Sequence, residues 1–92
     1  NTYSSKKLFN KFLILLEIFK YSQDLKNKLN ILAIETNSIE WIKYFSIEEQ
    51  LYKNDIDTIK LLKKMNSLKK ITSDKKLLKL INIRIRSLNE NI

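Results

Sequence analysis

The side chains in this 92-residue chain that could do chemistry are two carboxylate pairs, Glu48–Glu49 and Asp55–Asp57, and two arginines, Arg84 and Arg86. Paired carboxylates suit general acid–base work, and arginines can orient an anionic substrate. The partners such sites need are missing. No histidine and no cysteine occurs, which removes imidazole acid–base catalysis, thiolate nucleophiles and the usual zinc ligands. No glycine occurs either, so there is no glycine loop to cradle a phosphate. Each carboxylate pair is more economically charge at the start of a helix, near its cap. The arginines sit two apart on one helix and so face different ways; Arg84 lies close to an apolar stripe and is expected to snorkel to water. The chain is expected to be non-catalytic, with no metal and no cofactor.

A pattern suited to binding lies between residues 54 and 88. It reads as two amphipathic helices folded back on each other across a loop at 66–72. That loop carries two bare apolar residues, Leu68 and Ile71, around the pair Lys69 and Lys70. Apolar side chains held at a helix–helix corner can accept an aromatic anchor, and nearby ammonium groups favour an acidic ligand. The competing reading is that Leu68 and Ile71 simply close the core between the two helices. If they bind, Leu68→Ala leaves the fold intact and weakens a partner by about 1–3 kcal/mol, the range of an interface anchor.

The elements that would position this corner are helical. Neither glycine nor proline is present, so tight hairpin turns are scarce and continuous helix is the default. A hydrophobic share of 43% with 30% charged residues is that of a globular chain, not a disordered one. The length bounds it to one domain, 1–92, with residues 1–4 frayed. The expected fold is all-α, a compact bundle of four to six short helices with antiparallel neighbours. The first helix, 5–20, places Leu8, Phe9, Phe12, Leu15, Leu16 and Phe19 on one stripe, leaving Leu13, Ile14 and Ile18 outside it. The apolar phase slips at 21–24, where Ser22 or Asp24 can cap a second helix carrying Leu25, Leu29, Leu32 and Ala33. Asn37 can take the left-handed cap position usually given to glycine. A third helix buries Ile39, Ile42 and Phe45, with Trp41 a wedge at the core margin and Tyr44 beside it. Ser46 with Glu49 three residues on reads as a capping box that opens a separate short helix. Asn54 or Asp55 caps the next, and Thr72 or Ser73 the last.

The net charge of +8 admits nucleic acid, a membrane surface or an acidic partner. The longest apolar run, 12–16, is too short to span a bilayer. Lysines fall on every helix, but Lys63, Lys64, Lys69, Lys70, Lys75 and Lys76 gather in the C-terminal half. Phosphate attraction is credible there, yet no helix carries the Arg/Asn/Gln row of major-groove readout. Non-specific nucleic-acid binding is thus one alternative. Another is an assembly role, in which Leu13, Ile14 and Ile18 of the first helix form a homodimer or dock on a subunit.

The segments SIEWIKYF, IEEQLYKN and DIDTIKLLKKMNSLKKIT, followed by an amphipathic closing helix, resemble the N-terminal domain of elongation factor TFIIS. They are more similar still to the related integrase-binding domains. The likeness covers roughly 38–88. It departs where the family often has a glycine at the start of the fourth helix, here Asp57 or Thr58, and a tryptophan near the end of the last, where Leu88 would stand in. The resemblance implies a protein-interaction module of nuclear transcription machinery that takes disordered acidic motifs bearing an aromatic residue. It places the grip on the loop between the last two helices, matched by Leu68 and Ile71 with Lys69 and Lys70. It adds the loop after the first helix, where Tyr21 and Asp24 fall.

Overall fold

The computed structural model describes residues 2–19, 22–53 and 57–90, with side chains from Ser4 onward. They form five α-helices and, among the described residues, no strand: α1 Thr2–Ile18, α2 Gln23–Glu35, α3 Ile39–Lys53, α4 Thr58–Ile71 and α5 Lys75–Glu90. The all-α expectation and the helix number hold. The chain divides into two compact units, Asn1–Ile42 and Lys43–Ile92.

In the first unit α1 packs on α2. The Ser5 hydroxyl donates to Glu35 Oε2 at 2.9 Å, which sets the start of α1 beside the end of α2. The helices are therefore antiparallel. The buried line of α1 is Phe9, Leu13 and Leu16, spaced i, i+4, i+7 as one helical face requires. The expected stripe is rotated relative to this. Leu13, expected outside, belongs to the core, while Leu8 and Phe19 are exposed. α1 also begins at Thr2, ahead of the start expected at Ser5. Opposite α1, Leu29, Leu32 and Ala33 are buried on α2, as their spacing indicates. Trp41 closes the unit, its ring edge-on to Phe9 at 5.5 Å and 87°. It is fully inside the core, not at the margin.

The ends of α2 follow from short polar side chains. Ser22 Oγ accepts from the Leu25 amide at 3.2 Å, which satisfies one of the orphan donors of the first turn. At the other end Asn37 adopts a φ of 55°. The Ser38 amide reaches back to the Ala33 carbonyl and the Asn37 amide to the Ile34 carbonyl, at 2.9 and 3.1 Å. This is a Schellman closure with asparagine in the left-handed place. A glycine-free chain has little else to put there.

From α3 onward several expectations change. α3 runs unbroken through Ser46, because Trp41, Tyr44, Phe45, Ile47 and Glu48 are all buried along it. Burying that row stabilises continuous helix more than a local cap could stabilise a break. Ile39 correspondingly turns outward. α4 is capped by Asp57, whose Oδ1 accepts from the Lys60 amide at 2.9 Å; the expected caps Asn54 and Asp55 lie outside the described residues. α4 then continues through Asn66 and Ser67 to Ile71. Asn66 does not break it, since its Nδ2 donates to the Leu62 carbonyl one turn back at 2.9 Å. The connection is thus three residues, 72–74, and the expected loop at 66–72 is helix as far as Ile71. Asp74, not Thr72 or Ser73, caps α5, accepting from the Lys76 and Leu77 amides at 2.9 and 3.2 Å. α4 packs on α5, and Leu61, Met65, Leu68, Leu77, Ile81 and Leu88 are the buried residues of the pair.

A basic helical hairpin as the candidate site

The α4–α5 hairpin separates the four residues expected to work together. Leu68 is only 3% exposed, because it continues the inward line of Leu61 and Met65 at i+7 and i+3. It belongs to the core, as the competing reading of the sequence has it. Ile71, three residues further on, is 58% exposed in the last turn of α4. Lys69 and Lys70 stand out to solvent on the same turn. The corner therefore keeps one apolar anchor and its cations.

Of the second expected cluster, Tyr21 lies outside the described residues, and Asp24 is exposed in the first turn of α2. An acidic side chain there complements the helix macrodipole, which accounts for it without a ligand. The assembly surface likewise loses Leu13 to the core, while Ile14 and Ile18 remain exposed.

Charge is distributed far less evenly than the scatter of lysines suggests. Residues 57–90 hold ten basic and three acidic side chains, a net +7. The first 56 residues hold eight basic and seven acidic ones, a net +1. Nearly all of the protein's net positive charge, +7 of +8, therefore belongs to one hairpin. Lys69 and Lys70 end α4, where cations suit the macrodipole. Lys75 and Lys76 open α5, where they oppose it, and no acidic residue lies within that first turn. The Asp74 carboxylate that caps this end of α5 offsets part of that repulsion.

No family model, curated protein or solved structure matches this chain.

Arg84 does not run out to water but forks onto Glu48, Nε to Oε2 at 2.6 Å and Nη2 to Oε1 at 2.9 Å. Tyr44 OH donates to Glu48 Oε1 at 3.2 Å. Glu48 is 5% exposed, so this is a desolvated carboxylate held by a guanidinium and a phenol between α3 and α5. The residues are 36 apart in sequence, and no local pattern announces them. A fully committed carboxylate with both oxygens occupied is a structural device, not an acid–base catalyst. Among the described residues no group of three or more acidic side chains could hold a metal ion, and no helix is long and apolar enough to cross a membrane.

Burial pushes the Tyr44 phenol well above its ordinary value of 10.0, and the Glu48 carboxylate adds to the shift while Arg84 opposes it. The folded state thus holds this proton more tightly than the unfolded state. That contribution to stability is fully present below about pH 10 and is lost as pH rises further. Urea unfolding midpoints should fall steeply above pH 10, and less steeply in Tyr44→Phe. Parallel curves for the two proteins would show that the phenol does not report on folding.

Proposed function

We propose that this protein is a non-catalytic interaction module whose α4–α5 hairpin binds short acidic, aromatic-bearing disordered segments of a protein partner. The observation that carries this reading is the exposed Ile71 side chain beside Lys69 and Lys70, on a hairpin of net charge +7. An aromatic ring of the ligand would cover Ile71, and its carboxylates would lie among the ammonium groups. The likeness of 38–88 to TFIIS N-terminal and integrase-binding domains implies the same ligand class, and with it transcription machinery and a nuclear location.

Ile71→Ala should weaken an acidic Phe-containing peptide by about 1–3 kcal/mol and leave the unfolding midpoint nearly unchanged, because the side chain is mostly in water. Lys69→Gln with Lys70→Gln should act chiefly on association rate and salt dependence. Titration with chemical-shift mapping checks both. Peptides with Phe replaced by Ala that bind equally well would refute the anchor. A steep salt dependence without peptide preference would indicate nucleic acid instead.

A second reading has its own observation. Ile14, Ile18 and Phe19 are all more than half exposed at the end of α1, which favours self-association through that helix. Sedimentation at micromolar concentration separates a monomer that binds peptide from a dimer.

A further inference from the structure

Along α5 runs an open groove of about 530 Å3, lined by Lys69 from α4 and by Asn82, Ile85, Arg86, Asn89 and Glu90. The five α5 residues fall at i, i+3, i+4, i+7 and i+8, so they share one face of the helix. Ile85 is half-buried at the floor, and the polar side chains are exposed around it. Among the described residues none of those five polar side chains makes a hydrogen bond or ion pair. Arg86 and Glu90 stand at i, i+4, the spacing of a helical ion pair, and still do not pair. The donors and acceptors of the groove are uncommitted.

The spacing of the two asparagines fits one kind of ligand. Seven residues of helix advance about 10.5 Å, and an extended chain advances about 3.3 Å per residue. Asn82 and Asn89 are thus about three extended residues apart. Each carboxamide carries donors and an acceptor, so each can pair with both the N–H and the C=O of a peptide. Such pairing reads backbone and is indifferent to sequence. The side chains between them supply what sequence preference there is: an apolar patch at Ile85 and cations at Arg86 and Lys69. Glu90 lies at the C-terminal end of the row and repels an acid placed there. A phosphate backbone would want cations repeating along the row, and this row has carboxamides and a carboxylate instead.

We propose that this groove holds an acidic peptide in extended conformation, its backbone paired with Asn82 and Asn89 and its carboxylates set between Lys69 and Arg86. The inference rests on the reading that the partner is an acidic disordered segment. It adds a second contact area beyond the Ile71 corner, with Lys69 common to both.

The test is calorimetric titration of a ten-residue acidic Phe-containing peptide into four proteins: wild type, Asn82→Ala/Asn89→Ala, Glu90→Gln and Ile71→Ala. The two asparagines are exposed on a helix, where alanine is the better helix former, so the double variant should fold. Loss of two backbone-directed hydrogen bonds should weaken the peptide about tenfold. A peptide N-methylated at its central amides should lose the same factor on wild type and little on the double variant. Glu90→Gln should tighten binding by about two- to fivefold, since it removes a repulsive charge. Unchanged affinity in the double variant, with loss in Ile71→Ala, would overturn the groove and leave the corner standing. Failure of wild type to bind any acidic peptide would overturn both. Stronger protection of the Asn82 and Asn89 side-chain amides by an oligonucleotide than by the peptide would also overturn the groove as a peptide site.

Discussion

Replacing Arg84 by methionine should destabilise the protein by about 3–5 kcal/mol, the cost of leaving one member of a buried ion pair alone. The reason is Glu48. Its carboxylate is almost out of contact with water and is held by two guanidinium hydrogen bonds and one from Tyr44. Without Arg84 the carboxylate loses its two charge-assisted hydrogen bonds, and it must either lose its charge or drag water inside. Small domains hold about 5–15 kcal/mol in total, so the variant would lose a large share. For a domain of this size its melting temperature should drop by more than about 10 °C. Arg84→Lys keeps the charge but not the planar fork, and should fall between. The double variant Glu48→Leu/Arg84→Met should recover most of the loss, because an apolar pair of similar bulk needs no desolvated charge. A loss under about 1 kcal/mol in Arg84→Met would mean that the pair is in effect solvated, contrary to the burial of Glu48.

Leu68→Ala should cost about 2–5 kcal/mol of folding stability, the range for deleting a buried leucine side chain. Leu68 lies with Leu61, Met65, Leu77, Ile81 and Leu88 among the buried residues of α4 and α5, and its removal leaves a cavity in a packed interior. This reverses what the sequence suggests, an intact fold with weakened binding. Peptide affinity, measured well below the unfolding midpoint, should be nearly that of wild type. Ile71→Ala should show the opposite combination. Denaturant unfolding and peptide titration on the two variants decide the matter. Selective loss of affinity in Leu68→Ala would put that side chain at the ligand after all.

The contrast between Leu68 and Ile71 marks where sequence reading stops. Helical periodicity marks the inward face of α2, and the lack of glycine points to Asn37 for the left-handed position. These depend on neighbours within a turn or two, which a pattern records. Asn66 and Ser67 have weak helix propensity and so read as a break. The inward line through Leu61, Met65 and Leu68 overrode them, with the Asn66 side chain bonding back along its own helix. Ser46 and Glu49 likewise match a cap whose consequences depend on what lies beyond it, here the buried row that keeps α3 whole. Glu48 and Arg84 each have an ordinary local reading. Their union depends on two helices distant in sequence. The concentration of charge in residues 57–90 needed no structure to count, only the knowledge that these residues form one hairpin.

That concentration also sets a demand on selectivity. Any polyanion, nucleic acid or anionic lipid alike, would compete for the same strip of lysines. If the proposed reading holds, a partner must gain over this background through contacts that bulk polyanions cannot copy, which leaves Ile71, Ile85 and a few uncharged amides to carry recognition.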